Sequence, residues 1–395
     1  MTKSQQVLLA LLKKSLFNID ISLPSEVNWQ EVYDEAVSQS VVPIAYDGTA
    51  GIADIPREIA KKFKDYSLAV FLQNDSVLKG QQDVSKLLQQ NGIAYAILKG
   101  ASVARYYSKP ELRTLGDVDL LVSKADFEDT KKLLVSNGYT LTREEKNHFH
   151  CNFKKQDVIF ELHFEMSDFP PTKLGSDLKT QLANATKCTK EAKCFSQQFC
   201  SLDNLYQAVS LLLHTERHLI ADGIGIRQLL DFGMFCYANP EFLDAEGYSA
   251  FLKKYGLYKL AEISKELFEK YFLDKQIESS SADLLFEVAL KKGNFGTKRE
   301  REETYSNFDL EKQHKSALVN YFLYFKKRAK YTWPLAKKVP WLRNLGFIYL
   351  PIRHVFRVIF RKTEKVDYAK ILNSNNEINK LYNELSVFKE YESGK

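Results

Sequence analysis

The 395-residue sequence is poor in cysteine and lacks long hydrophobic runs. Its five cysteines include no Cys-x-x-Cys pair, which argues against a zinc site and against a disulfide framework. No stretch of about 18 uncharged apolar residues occurs, so no transmembrane helix is expected. The apolar run at 7–12 is short and is followed at once by two lysines, unlike a signal peptide. These absences predict a cytoplasmic protein with free thiols.

The composition is that of a globular protein, with 45% hydrophobic and 27% charged residues. The length suffices for two or three domains with a large core. Apolar residues recur at helical spacing in the first and third quarters of the chain, whereas strand patterns cluster between them. We therefore predict an N-terminal helical region (1–90), an α/β core (91–200), a helical domain (201–325) and a basic, aromatic C-terminal helical region (326–395).

Two carboxylates, Asp117 and Asp119, stand two residues apart in the apolar, β-branched stretch 112–122. Side chains two apart on a strand point to the same face. Burying two aligned charges is costly unless something neutralises them. Mg²⁺ suits this role because it binds one or two carboxylates together with substrate phosphates. The alternative is that both acids lie in a solvated turn, which the Asp-x-Asp tripeptide alone would favour.

The segment before these acids predicts a phosphate-binding turn. Ile93–Leu98 has the pattern of a short buried strand, and Lys99 and Gly100 follow it directly. A glycine between a strand and a helix lets backbone N–H groups approach an anion closely. Lys99 and Arg113 add two cations near the same edge.

A third acid follows on a later strand. Residues 157–164 alternate so that Glu161 and His163 share one face, opposite four apolar side chains. A phosphate-binding turn, two aligned acids and a third acid together are what two-metal phosphoryl or nucleotidyl transfer requires.

Several separated motifs occur in a defined order: Leu98-Lys99-Gly100, Arg113-x-x-Gly116-Asp117-Val118-Asp119-Leu120-Leu121-Val122, Glu161-Leu162-His163, His214-x-x-x-His218, Gly225-Ile226-Arg227-Gln228-Leu229-Leu230-Asp231 and Gly293-Asn294-Phe295-Gly296. Through them the sequence resembles a bacterial family of nucleotidyltransferases in the DNA polymerase beta-like superfamily, over roughly residues 25–360. The resemblance implies an α+β fold, in which a mixed β-sheet core with helices is flanked by N-terminal and C-terminal helical regions.

The resemblance also implies an activity, the Mg²⁺- or Mn²⁺-dependent transfer of a nucleoside monophosphate from a nucleoside triphosphate such as ATP to an unidentified acceptor. Asp117 and Asp119 would bind metal, with Glu161 as third ligand or general base. Lys99, Gly100, Ser102 and Arg113 would bind the triphosphate. Superfamily members usually have Ser or Gly after the glycine, whereas Ala101 stands here, so Ser102 would supply the hydroxyl. Relatives associated with surface polysaccharide synthesis suggest a sugar-linked or small-molecule acceptor.

A hairpin is expected between the strands around residues 150 and 160. If Lys155-Gln156 is its two-residue turn, His150 opposes Glu161 and His148 opposes His163. We expect His163 to lie at the site and to contact the substrate. The roles of His148 and His150 stay open.

The helical half contains two polar pairs at i, i+4 spacing. His214 and His218 have a metal-compatible spacing, but Thr215 replaces the acid that a zinc protease needs. Arg227 and Asp231 form either an intrahelical ion pair, which contributes a few tenths of a kcal/mol, or part of the wall of a nucleotide cleft. The resemblance favours nucleotide contact for Arg227 and Asp231 and leaves the two histidines evenly balanced.

Residues 326–365 contain twelve Lys or Arg and one acid, Glu364, a net charge of +11. The whole chain is +6, so the rest sums to −5, which argues against a nucleic-acid substrate. Aromatic residues are interleaved with the cations. The segment is either a helix pair with a solvated basic face or a contact for an anionic membrane or polyanion.

Two classes of function remain. One is the nucleotidyltransferase; the other is a non-catalytic binding or scaffold protein that keeps the fold and acts at a membrane or complex. Three aligned acids favour the enzyme, because a site without catalysis has no reason to keep them.

Overall fold

The computed structural model describes residues 1–144, 149–167, 169, 173–220, 223–298 and 339–359, together with positions 322, 326, 329, 333, 335, 336, 380, 381 and 384–387. The chain forms two compact units. The first comprises 1–218, 223–298 and 383–395, and the second comprises 219–222 and 299–382. The division into four regions stays a prediction.

Four helices precede the sheet: α1 (Lys3–Phe17), α2 (Trp29–Ser38), α3 (Val42–Gly48) and α4 (Arg57–Gln90). A capping box begins α1, because Thr2 and Gln5 satisfy each other's backbone N–H with their side chains. Gly48 ends α3 against the backbone carbonyl of Leu11, where a Cβ would clash. The glycine therefore permits α1 and α3 to pack closely.

Within the described residues, seven strands form one mixed sheet: β1 (Tyr95–Leu98), β2 (Val118–Val122), β3 (Thr140–Glu144), β4 (His150–Lys155), β5 (Val158–His163), β6 (Thr189–Cys194) and β7 (Gln197–Leu202). Their order is β3-β4-β5-β2-β1-β7-β6. The pairs β2–β5 and β1–β7 are parallel, and the others are antiparallel. The predicted α+β fold with a mixed sheet is confirmed.

One face of the central strands packs on α4. Leu120 and Phe160 of the sheet lie in one buried apolar cluster with Val84 and Leu88 of the helix. At Gly80 the helix comes so close that a Cβ would lie 2.9 Å from the Phe160 ring. Because side chains alternate along a strand, this packing leaves the opposite face of β2 and β5 for polar residues.

The remaining described helices are α5 (Gly100–Ala104), α6 (Phe127–Ser136), α7 (Lys173–Leu182), α8 (Asn204–Ile220), α9 (Ile226–Ala238), α10 (Glu246–Lys254), α11 (Tyr258–Phe272), α12 (Ser280–Lys292) and α13 (Gly346–Ile359). A 3₁₀ segment, Pro340–Leu345, leads into α13 in the second unit. In the described part of the chain, no helix has both the length and the hydropathy to cross a membrane.

The hairpin between β4 and β5 differs from the expected one. Its two-residue loop is Gln156–Asp157, and the backbone of Gln156 has φ +54°, as tight hairpin turns require. His150 therefore opposes His163, and the predicted pairing of His150 with Glu161 was wrong. The expected partner of His163, His148, lies outside the described residues.

Candidate active site

Two carboxylates from neighbouring parallel strands lie side by side at the centre of the sheet. Asp119 is the second residue of β2, and its direct partner on β5 is Glu161. Asp119 is buried, at 3% exposure, and Glu161 is half-buried. Asp117 immediately precedes β2 and is also half-buried. The strand thus includes Asp119 and begins just after Asp117, so the acids do not lie together in a solvated turn.

Two basic side chains contact these acids. Lys99 Nζ lies 3.0 Å from Asp119 Oδ1, and His163 Nε2 lies 3.1 Å from the same oxygen. His163 Nε2 is also 3.4 Å from Glu161 Oε2. Asn152, opposite Glu161 on β4, donates a hydrogen bond of 3.0 Å to Glu161 Oε1. Asp119 and Glu161 are therefore each held by a partner from another strand.

The electrostatic environment shifts the pKa values of Asp117 and Asp119 in opposite directions. Burial and the charges of Asp119 and Glu161 raise the pKa of Asp117 to about 6, although Lys99 opposes this rise. Burial alone would raise the pKa of Asp119, but Lys99 and the hydrogen bond with His163 outweigh it and hold that pKa well below its usual range. Asp119 is thus the permanently ionised member of the pair.

The pKa values of His163 and Glu161 also shift, that of His163 upwards and that of Glu161 downwards. Burial alone would lower the pKa of His163, but its contacts with Asp119 and Glu161 outweigh burial and raise it. Burial alone would raise the pKa of Glu161, yet the hydrogen bond with His163 brings about a net lowering. The imidazole thus lies between two carboxylates that both favour its protonated form.

The donor atoms fit a divalent cation. One ligand atom each from Asp119, Glu161 and His163 lies within 4.8 Å of the other two. The second ring nitrogen of His163, Nδ1, is buried and has no hydrogen-bond partner among the described residues. Carboxylate oxygens suit Mg²⁺ and Mn²⁺, and an imidazole nitrogen adds a preference for Mn²⁺ or a later transition metal. Asp117 is outside this group of three, but it lies close enough to Asp119 and Glu161 for their charges to raise its pKa.

The turn that follows β1 has an unusual backbone. Lys99 has φ +48° and Gly100 has φ +42°, and such a φ is strained for a lysine. The hydroxyl of Ser102 is buried and donates a hydrogen bond of 2.6 Å to the carbonyl oxygen of Lys99. Ser102 thus stabilises the turn, which directs Lys99 at Asp119. Triphosphate contact by Gly100 and Ser102 stays a prediction.

Arg113 and Asp231 form a buried ion pair between residues 118 positions apart in the chain. Arg113 Nε and Nη2 each donate 2.7 Å to one oxygen of Asp231, in a bidentate arrangement. The hydroxyl of Tyr107 donates a hydrogen bond of 2.8 Å to Asp231 Oδ1. Arg113 Nη1 donates a hydrogen bond of 3.3 Å to the carbonyl oxygen of Gly100. The pair therefore joins α9 to the turn after β1. Nucleotide binding by Arg113 and Asp231 stays a prediction.

The helical half adds positive charge beside the acids. Burial and the charge of Arg113 lower the pKa of Arg227, which Asp231 and Asp117 partly restore. The rings of His214 and His218 meet edge to face at 4.4 Å. Burial, Lys99 and cations of the helical half lower the pKa of both imidazoles, that of His218 to about 3. The charge of Asp117 thus acts on Arg227, and the charge of Lys99 acts on both histidines.

A buried polar junction fixes the start of α9. Gln39 accepts a 2.8 Å hydrogen bond from the backbone of Ile226 and donates 3.2 Å to the carbonyl of Ala289. A Cβ at Gly225 would lie 2.6 Å from the backbone of Asn294. Asn294 Nδ2 in turn donates 2.7 Å to Ser40 Oγ. The late glycine motif thus packs on the residue that precedes the helix bearing Arg227 and Asp231.

Sequence reasoning missed three residues of this region: Asn152, Tyr107 and Gln39. Alternation along β4 places Asn152 on the polar face, so a loop at Gln156–Asp157 would have revealed it as the partner of Glu161. No sequence signal distinguishes Tyr107 or Gln39, because their partners lie 124 and 187 positions away.

Comparison with known proteins agrees with this geometry. The family described as uncharacterised nucleotidyltransferase matches residues 25–272, more than half of the chain. The protein therefore belongs to that family. No curated protein matches the sequence.

Proposed function

We propose that the protein transfers a nucleoside monophosphate from a nucleoside triphosphate to an acceptor, with Mg²⁺ or Mn²⁺ bound by Asp117, Asp119 and Glu161. The observation that carries the proposal is the buried, in-register pair Asp119–Glu161 with Asp117 at the same strand end. Membership of the nucleotidyltransferase family supports the reaction class. A bound divalent cation would neutralise the triphosphate and stabilise the charge that develops during transfer.

The residues around the acids have separate roles in this proposal. Asp119 is held ionised by Lys99 and His163, so a ligand oxygen is available at neutral pH. Asn152 fixes the orientation of Glu161, which serves as third ligand or as the base that accepts the proton of the acceptor. His163 contacts both carboxylates and provides either a nitrogen ligand or a hydrogen bond to the substrate phosphate.

Arg227 is the cation that we assign to the triphosphate. Burial lowers the pKa of Arg227, and the charges of Asp231 and Asp117 oppose this lowering, so its guanidinium lies near the acids. A guanidinium binds phosphate in a bidentate manner. Lys99 and the Gly100 turn complete the phosphate-binding side.

Calorimetric titration tests the proposal. ATP, GTP, CTP and UTP are each titrated with Mg²⁺ or Mn²⁺ into the wild type and an Asp117→Asn/Asp119→Asn variant. We expect one nucleotide to bind and the double variant to lose that binding. Asp157→Asn is the matched control, since it removes a fully exposed carboxylate in the β4–β5 loop.

A second measurement follows pyrophosphate release from the nucleotide that binds. Circular dichroism verifies that the double variant is folded. If no nucleotide binds, or if the double variant binds and turns over as the wild type does, the metal assignment is wrong. The non-catalytic binding role would then be the better description.

A further inference from the structure

Exposed apolar side chains are concentrated in one short segment of the second unit. Among the described residues, six of the fifteen exposed large hydrophobic side chains fall between positions 335 and 352: Leu335, Val339, Trp341, Leu345, Ile348 and Ile352. Trp341 is 64% exposed, and Ile348 and Ile352 are 49% and 51% exposed. Single exposed apolar residues are ordinary, whereas a cluster marks an interaction surface.

The same segment buries a different set of residues. Ala329, Trp333, Ala336 and Leu350 form a small apolar cluster, and Trp333 stacks on Tyr349 at 4.0 Å. Leu345, Ile348 and Ile352 have the spacing i, i+3 and i+7, which places them on one stripe of the helical segment. The segment thus has two apolar sides, one packed within the unit and one facing solvent.

Charge identifies what covers the exposed side. Residues 326–365 carry a net charge of +11. Two copies of so basic a stretch would repel each other. Aliphatic side chains such as Leu345, Ile348 and Ile352 do not stack on nucleic-acid bases as aromatic rings do. An anionic lipid bilayer satisfies both features, because headgroup phosphates pair with Lys and Arg while apolar side chains enter the acyl boundary.

We propose that the exposed apolar side chains of residues 335–352, which lie within the basic stretch 326–365 of the sequence, dock peripherally on anionic membranes. We call residues 335–352 the docking segment. Trp341 suits the interface between headgroups and acyl chains, where an indole ring is half apolar and half polar. The proposed membrane binding does not involve the metal site. It can therefore be tested separately from the proposed transfer reaction.

Vesicle co-sedimentation of the full chain tests the proposal. Vesicles of phosphatidylcholine alone are compared with vesicles that also contain phosphatidylglycerol. We expect sedimentation only with the anionic vesicles, and a steep loss of binding as salt increases. Trp29 and Trp333 are buried, so a blue shift of tryptophan emission on vesicle addition would come from Trp341. The shift should disappear in Trp341→Phe.

Two double variants separate the docking segment from exposed apolar surface in general. Ile348→Ser/Ile352→Ser should lower the vesicle partition coefficient about tenfold or more, because two apolar side chains no longer enter the bilayer. Leu68→Ser/Leu72→Ser is the matched control. Those leucines share the i, i+4 spacing and are 52% and 64% exposed on α4, outside the basic region. The control and the Asp117→Asn/Asp119→Asn variant should bind vesicles as the wild type does.

Three results would overturn the proposal. Equal sedimentation with neutral vesicles would remove the role of charge. Unchanged binding by Ile348→Ser/Ile352→Ser would remove the role of the apolar stripe. A lipid-free dimer in sedimentation velocity that this variant abolishes would identify a second copy of the chain as the occupant.

Discussion

Asp117 and Asp119 are two residues apart, yet their carboxyl groups experience opposite electrostatic environments. Lys99 and His163 stabilise the charge on Asp119, whereas Asp117 receives the repulsion of its neighbours with less compensation. The metal-free protein therefore loses stability when Asp117 ionises. A bound divalent cation, as proposed above, would remove this cost, which is the usual conflict between a poised site and a stable fold.

Asp117→Asn should stabilise the metal-free protein and abolish metal-dependent turnover. The folded-state pKa of Asp117, about 6, lies above its ordinary value of 3.8, so ionisation above pH 6 disfavours the folded state. We expect the free energy of unfolding to rise by up to about 3 kcal/mol above pH 6. The gain should vanish below pH 4, where both states are protonated. Urea unfolding in EDTA measures it, with Asp157→Asn as a neutral control.

Asp231→Asn should be among the most destabilising single substitutions in the first unit. It leaves the buried guanidinium of Arg113 without its carboxylate, at a cost of about 3–5 kcal/mol. Arg113→Met/Asp231→Leu should lose less than the sum of the two single variants, as a double-mutant cycle in urea would measure. Asp65→Asn, which removes an exposed pair with Lys61, should change stability by about 0.5 kcal/mol or less. A small loss in Asp231→Asn would contradict the assigned role of the pair.

At the level of elements, the strand pattern of the sequence predicted the faces of the sheet correctly. Asp119 with Glu161 on one side, and Leu120 with Phe160 on the other, follow from alternation. The same pattern did not determine the register between β4 and β5 or the position of their loop. A two-residue shift keeps every side chain on its face, so hydrophobic pattern does not distinguish the two registers. In the observed register the loop is Gln156–Asp157, and Gln156 has a positive φ.

The junction at the start of α9 should be sensitive to one added methyl group. Gly225→Ala places a Cβ 2.6 Å from the Asn294 backbone, so the late glycine motif must move away. We expect a loss of about 1–3 kcal/mol and reduced nucleotide binding, although no site residue changes. Gly247→Ala in α10 meets no atom within 4 Å and should be neutral or stabilising by about 0.5–1 kcal/mol. Equal behaviour of the two variants in urea unfolding would refute the positioning role.

On the scale of the whole molecule, long-range pairs set the limit of sequence reasoning. The predicted α+β fold and the predicted family were confirmed, because both follow from patterns that are local in the sequence. The parallel pairing of β1 with β7 joins residues 97 and 201, and the Arg113–Asp231 pair joins different halves of the first unit. Such contacts depend on how distant elements pack against each other. No short sequence motif indicates that packing.

The buried side chain of His218 should make the fold sensitive to acid. Burial, Lys99 and neighbouring arginines lower the pKa of His218 to about 3, whereas the unfolded chain titrates near 6.5. Between these values the unfolded state binds the extra proton, so stability should fall by up to about 5 kcal/mol as pH decreases. His218→Gln should flatten this dependence in urea unfolding. His163→Gln should not, because the pKa of His163 is raised and its protonation favours the folded state. Identical pH profiles for the two variants would contradict both directions.

The packing of the first and last helices of the first unit bears on how the protein can be shortened. The family match begins at residue 25 and ends at residue 272. Leu8, Leu11 and Leu12 of α1 and Leu285 of α12 lie outside those limits and are completely buried. A fragment trimmed to the matched residues would therefore expose hydrophobic core and aggregate on expression. The smallest part of the chain worth producing for crystallisation starts before α1 and extends through the buried Leu385, which belongs to the first unit.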